Sequence, residues 1–200
     1  ERMDYSKGLP QRLKAFRTLL QNYPENQGSA TLIQIASPSR ESVDAYAALR
    51  AELESLSGAI NGEHGELDWM PLRYIHRNVA RKRLPGLYRA AAVALVTPLR
   101  DGMNLVAKEF VAAQDPADPG VLVLSRFAGA AEQLSEALQV NPYDTARTAE
   151  TIQRALQMPL AERQQRHAAL LQRIRAQDVH WWRENFLRAL RDTQEPEKEP

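Results

Sequence analysis

Apolar residues recur along this chain in two alternating rhythms. Over 10–23 they fall at Leu13, Phe16, Leu19, Leu20 and Tyr23, the three-and-four spacing that turns one stripe of a helix toward a core. Pro10 suits the first turn of that helix. ATLIQIA (30–36) is a short β-branched run and predicts a buried strand. Pro38 and Ser39 break it, and helical spacing returns over 41–57 at Val43, Tyr46, Leu49 and Leu53. The glycines and proline of 58–72 predict an excursion over the surface. PLRYIH offers another strand, 84–91 a short helix, VALVT (93–97) a strand and 104–114 a helix. DPADPG reads as a turn, VLVLS (121–125) as a strand with one polar residue at its end, GAAEQL as a short helix and ALQV (137–140) as a last short strand. From Tyr143 the pattern is helical only, over 145–158, 160–176 and 178–192, and the charged, proline-containing tail TQEPEKEP is expected to be disordered.

Strands alternating with helices predict an α/β fold with a doubly wound parallel sheet. In such sheets ligands meet the carboxyl ends of the strands. Three such ends carry charged or hydroxyl residues: after Met3, after Ala36 and after Thr97.

Composition narrows the chemistry. The 200 residues carry a net charge of +1 and no cysteine. That excludes disulfides, thiolate catalysis and cysteine-bound metals. No apolar run approaches the ~20 residues needed to span a bilayer, and a soluble, cytoplasmic protein is expected. His64, His76, His167 and His180 show no metal-ligand spacing and no triad partners, so they read as surface or packing residues. Trp181 and Trp182 are expected to anchor the last helix on the domain. Arg73, Arg77, Arg81, Lys82 and Arg83 read as a wet helix face or a rim, with nucleic-acid binding the weaker alternative.

The strand-end loops hold the remaining candidates. Arg2 and Lys7 flank a small-residue turn and can converge on a phosphate, Arg as a fork and Lys as a point charge; the plainer alternative is a solvated loop. Arg40 precedes a helix behind two serines, one of them a candidate N-cap, and can hold an anion there. Asp101 and Gly102 link an apolar strand to a helix whose first amides face whatever lies beyond the strand. Glu109, farther along that helix, fits a solvated face or a carboxylate that accepts ribose hydroxyls.

The order ERMDYSKGLPQRLKAF, IQIASPSR, LVTPLRDGMNLVAKEFVAAQDPADPGVLVLSRFAGAAEQL, ALQVNPYD closely resembles the C-terminal half of the trehalose-6-phosphate synthase family, retaining glycosyltransferases of GT-B architecture. The resemblance runs from Glu1 to about Arg191. It implies a Rossmann-like, nucleotide-sugar-binding domain over 1–176 with its first strand truncated. A C-terminal helix over 177–192 would cross to an N-terminal domain absent here, and 193–200 would be a disordered tail. It implies transfer of glucose from UDP-glucose to glucose 6-phosphate without a metal or other cofactor, and a chain that alone does not turn over substrate.

By that resemblance Arg2 and Lys7 grip the donor diphosphate. Asp101 and the backbone of Gly102, Met103 and Asn104 hold the transferred glucose. Leu105, Val106, Ala107, Lys108 and Glu109 line the nucleotide, with Glu109 on the ribose. Arg40 reaches the acceptor phosphate. Val79 sits where the family's backbone contacts uracil, and its aliphatic side chain departs from the aromatic common there. Catalytic weight falls on Arg2, Lys7 and Asp101. Partners would be the two sugar substrates and the N-terminal domain, with homo-oligomers permitted and neither nucleic acid nor membrane expected. The alternatives are a glucosyltransferase with another phosphorylated acceptor such as glycerol 3-phosphate, a GDP- or ADP-glucose enzyme, and a non-catalytic nucleotide-sugar module.

Overall fold

The structure, a computed structural model, describes residues 1–39 and 44–192. Helix α1 is Leu9–Asn22, strand β1 Leu32–Ile35, α2 Asp44–His64, β2 Leu72–Ile75, α3 Leu84–Ala90 and β3 Val93–Val96. Then come α4 Leu105–Ala113, β4 Val121–Ser125, α5 Ala130–Gln133, β5 Leu138–Val140, α6 Thr145–Leu156, α7 Leu160–Ala176 and α8 Val179–Asp192. All pairings are parallel: β1 with β2, and β3 with β4 with β5.

The opening residues join these two groups. Met3 N donates to Ser37 O at 2.7 Å and Ser37 N donates to Glu1 O at 2.9 Å, so residues 1–3 run alongside the end of β1 like a strand. Just beyond, Leu99 N donates to Ser6 O at 2.8 Å, which ties the following loop to the chain leaving β3.

Parallel strands need crossover helices on both faces, and β4 shows the consequence in its side chains. Leu122 and Leu124 pack with Phe110, Val111 and Leu170, from α4 and α7. Val121 and Val123 point the other way, among Leu138, Val140, Ala155 and Met158. Successive residues of a strand face opposite sides, so an apolar run covered on both faces is what a central strand requires. A third cluster packs Leu13, Phe16 and Leu20 of α1 against Leu53 and Ile60 of α2 and Ile152 of α6.

Two expectations are corrected. The excursion over 58–72 begins later, because α2 continues through Gly58 and Gly62 to His64. Leu53, Ser57 and Ile60 keep one face of it buried, and that packing outweighs the ~1 kcal/mol each glycine costs in a helix. The tryptophans do not anchor α8 on the domain: no residue of α8 is buried, and Trp182 stacks on Phe186 of the same helix with ring centroids 5.2 Å apart. The tail 193–200 lies outside the described residues.

The histidines pack or face solvent, His167 being buried with Nε2 3.0 Å from Val111 O. The basic cluster from Arg73 to Arg83 is exposed. Among the described residues no helix is long and apolar enough to cross a membrane, and no group of three or more histidine, aspartate or glutamate side chains is placed to hold a metal.

Candidate functional site

The loops that follow Met3 and Thr97 meet. Asp4 opens the first loop as a cap: its Oδ1 accepts from Ser6 N at 2.9 Å and Ser6 Oγ at 2.7 Å, and its Oδ2 accepts from Tyr46 Oη at 3.1 Å. Burial alone would raise the Asp4 carboxyl, but these bonds and the nearby Arg2 charge outweigh it and hold the pKa below its ordinary value. Residues Tyr5–Lys7 form one 3₁₀ turn, and Gly8 follows at φ 64°. That left-handed conformation disfavours a side chain. Gly8 also lies against the Thr97 carbonyl, so the first loop rests on the end of β3.

This packing brings Lys7 to Asp101. Lys7 Nζ lies 2.6 Å from Asp101 Oδ2, with both side chains largely buried. Asn104 Nδ2 donates to the same Asp101 oxygen at 3.0 Å. Asn104 is the one non-glycine residue with positive φ, 71°, among the described residues, a conformation asparagine tolerates better than most. Its Oδ1 caps α4 by accepting from Ala107 N at 3.2 Å. The amides of Leu105 and Val106 are left at the helix N-terminus without intrahelical acceptors. The turn is held from its far side by Asp101 N donating to Phe127 O and Ala130 N donating to Met103 O.

Beneath this surface lies a network that the spacing of loop residues did not reveal. Arg12 on α1 is 5% exposed. Its Nε donates to Thr97 Oγ1 at 3.0 Å and its Nη1 to Gln34 Oε1 at 3.0 Å. Its Nη2 donates to Glu1 Oε2 at 2.7 Å and to Lys7 O at 3.3 Å. Asn104 Nδ2 donates to the other Glu1 oxygen at 3.3 Å. Burial pushes the Glu1 carboxyl up, but the Arg12 charge and the Arg12 and Asn104 hydrogen bonds act against it and the pKa is lowered. Two signals for this network were present in the sequence: a glutamine inside the apolar run of β1, and an arginine four residues before Phe16 on the apolar stripe of α1.

Glu109 is half-buried one turn into α4, 3.5 Å from the Tyr88 hydroxyl of α3. Burial, then the Glu109 charge and that hydrogen bond, push the Tyr88 phenol up to about 12, so it keeps its proton and serves as a hydrogen-bond donor to the Glu109 carboxylate. Burial lowers the Lys108 ammonium. Arg2 is exposed beside Asp4, and Gly102, Met103 and Leu105 are exposed around the turn. Val106 is half-buried, whereas Ala107 is in the core and its amide is taken by Asn104. Val79 is half-buried in the loop after β2 and takes no part in the network. Arg40 lies outside the described residues.

The assembled surface combines the N-terminus of α4 with Lys7 and an exposed Arg2, an arrangement suited to an anion. Beside it stand two carboxylates, Asp101 and Glu109, which accept from hydroxyl groups. A ligand with phosphates flanked by sugars meets both requirements.

Comparison with known proteins gives the family. Residues 1–192 match the model of glycosyltransferase family 20. The chain is 55% identical over 193 residues to a trehalose-6-phosphate synthase of Enterobacter sp. (strain 638), covering 96% of this chain and 41% of that protein. Among solved structures, the UDP-forming α,α-trehalose-phosphate synthase of Burkholderia xenovorans in complex with glucose 6-phosphate has 54% identity and a TM-score of 0.92, over 95% of this chain and 42% of that one. An E. coli structure bound with UDP-2-fluoro glucose matches with the same identity, TM-score and coverage. The chain thus spans about two fifths of the length of the relatives it matches.

Proposed function

From its place in glycosyltransferase family 20, to which this chain belongs, we propose that it is the donor-binding part of a trehalose-6-phosphate synthase. In this reading the donor is UDP-glucose and the acceptor glucose 6-phosphate, and the products are α,α-trehalose 6-phosphate and UDP. The observation that carries the proposal is the Lys7–Asp101 pair at the meeting of two strand ends. A cation for the diphosphate and a carboxylate for the sugar stand side by side, where the donor's two halves join.

The residues divide the work as follows. Lys7 turns from Asp101 to the diphosphate, and Arg2 closes on it from the rim. As the bond between glucose C1 and the β-phosphate oxygen breaks, negative charge grows on the departing UDP, and these two cations stabilise it. Asp101, freed from Lys7, accepts from glucose hydroxyls, with the backbone of Gly102, Met103 and Asn104 alongside. Glu109 takes the ribose hydroxyls, and Leu105, Val106 and Lys108 flank the nucleotide. Arg40 would reach the acceptor phosphate, and the Val79 backbone would meet the uracil.

Most of the acceptor site would come from a second domain of the same architecture. The helix α8 suits the role of crossing to that domain, because Trp182, Phe186 and Leu190 are exposed on it. Turnover of glucose 6-phosphate would require those contacts, so this chain by itself is expected to bind donor without making trehalose 6-phosphate.

Calorimetric titration with UDP and with GDP tests the reading. UDP binding that exceeds GDP binding, and that Glu109→Ala weakens by about tenfold or more through loss of its hydroxyl acceptors, supports it. Equal binding of the two nucleotides, or UDP binding indifferent to Glu109→Ala, removes it.

A further inference from the structure

We propose that Arg12 is a positioning residue, which holds the diphosphate-gripping loop in register with the sugar-holding turn. The proposal rests on the donor assignment above but concerns a side chain that touches no ligand.

Arg12 is enclosed beneath the loops, and its four hydrogen bonds reach four separate segments. Thr97 follows β3, Gln34 belongs to β1, Glu1 lies on the opening stretch beside β1, and the Lys7 carbonyl lies in the first loop. Only a guanidinium can serve them together, since its five N–H donors diverge from one rigid plane. A lysine ammonium at the same place satisfies fewer of these directions.

The contacts also close on themselves. Arg12 donates to Glu1, Asn104 donates to both Glu1 and Asp101, Asp101 accepts from Lys7, and the Lys7 carbonyl accepts from Arg12. The ring contains one exchangeable edge, the Lys7–Asp101 pair at the surface. When a diphosphate draws the Lys7 ammonium away, Arg12 still holds the Lys7 backbone and Asn104 still holds Asp101. The side chains then change partners over a fixed frame, and the cation is already placed when the diphosphate arrives. The buried Arg12–Glu1 pair, whose side chains are 5% and 6% exposed, makes that frame hard to distort: removing one partner strands the other in a low dielectric.

A merely structural arginine would affect every ligand alike, whereas a positioning one acts on the phosphates. The test therefore compares UDP with uridine, titrated into this chain and its Arg12→Lys variant by ligand-observed NMR. Arg12→Lys is expected to weaken UDP about tenfold or more, the scale of one misplaced charge-assisted contact, while uridine affinity stays within about twofold. Loss of both in equal proportion, or of neither, overturns the proposal. If circular dichroism shows Arg12→Lys unfolded, Thr97→Val replaces it. That change removes one acceptor and keeps the guanidinium, and a smaller loss confined to UDP is expected; an unchanged UDP-to-uridine ratio again overturns the proposal. Unaltered chain that binds no UDP defeats the donor assignment itself, which separates the two failures.

Discussion

Gly8→Ala is the sharpest test of how the two strand ends are joined. Gly8 sits at φ 64°, and a Cβ built on it would lie 2.4 Å from the Thr97 carbonyl oxygen and 3.3 Å from Leu99 Cδ2. Two costs follow. The left-handed conformation costs a residue with a Cβ roughly 1–2 kcal/mol. The clash is against backbone, which cannot swing aside, and forcing an extra methyl into a packed site costs about 1–3 kcal/mol. Together these give roughly 2–5 kcal/mol, a large part of the stability of an ordinary domain. For a chain of this size that corresponds to a fall in Tm of roughly 4–20 °C, read by circular dichroism. Gly8→Asn separates the two contributions, because asparagine tolerates positive φ but still carries the Cβ. If contact with Thr97 dominates, asparagine is no better than alanine; if backbone conformation dominates, asparagine recovers much of the loss. A Gly8→Ala protein melting within about 2 °C of the parent, on the same size scaling, would refute the close approach.

Other positions extend the test. Gly58 lies in the middle of α2, and a Cβ added there would meet nothing within 4 Å, so Gly58→Ala should stabilise the chain by about 0.5–1 kcal/mol; denaturant unfolding that finds a loss would contradict the long helix. Tyr88 carries a phenol raised from 10.0 to about 12, and a raised pKa contributes stability that is complete below the unfolded value and lost as pH rises through the folded one. Unfolding free energy measured from pH 9.5 to 12 should therefore fall more steeply for the parent than for Tyr88→Phe (roughly the window set by that shift). Parallel curves would show that Tyr88 does not feel burial and Glu109 as the structure places it.

Much of the fold was legible because local pattern and global packing agree here. VLVLS predicted a strand, and β4 occupies 121–125 with every residue buried. The helices after Tyr143 were legible for the same reason, their apolar residues recurring at helical spacing. The sequence misled where a rule about single residues met a tertiary context. Gly58 and Gly62 suggested a surface excursion, but α2 packs along its whole length through Leu53 and Ile60, and burial of one face overrides the weak preference of the other. The Trp pair misled in the opposite sense: large aromatic rings suggest burial, yet α8 turns Trp181 and Trp182 outward, 38% and 50% exposed.

The candidate site was legible to a different depth. Residues at strand ends stand out as candidates by their position; Lys7 is one such candidate, with a solvated loop the plainer alternative, and its role and that of Asp101 come from the family resemblance, while the two lie 94 residues apart in sequence and 2.6 Å apart in space. Their supports did not announce themselves. Arg12 stands in a helix rich in arginine, lysine and glutamine, and only its place on the apolar stripe hints that it is buried. What distinguishes it is the set of acceptors that the fold delivers from β1, from β3 and from the opening strand. Such a set is a property of topology, and one-dimensional pattern carries only its shadow, in the polar Gln34 of an apolar strand and in the place of Arg12 on an apolar stripe. Candidate chemistry can be read from residue type and strand position; the polar frame beneath it becomes readable once long-range pairing is known, and the Lys7–Asp101 separation depends on both.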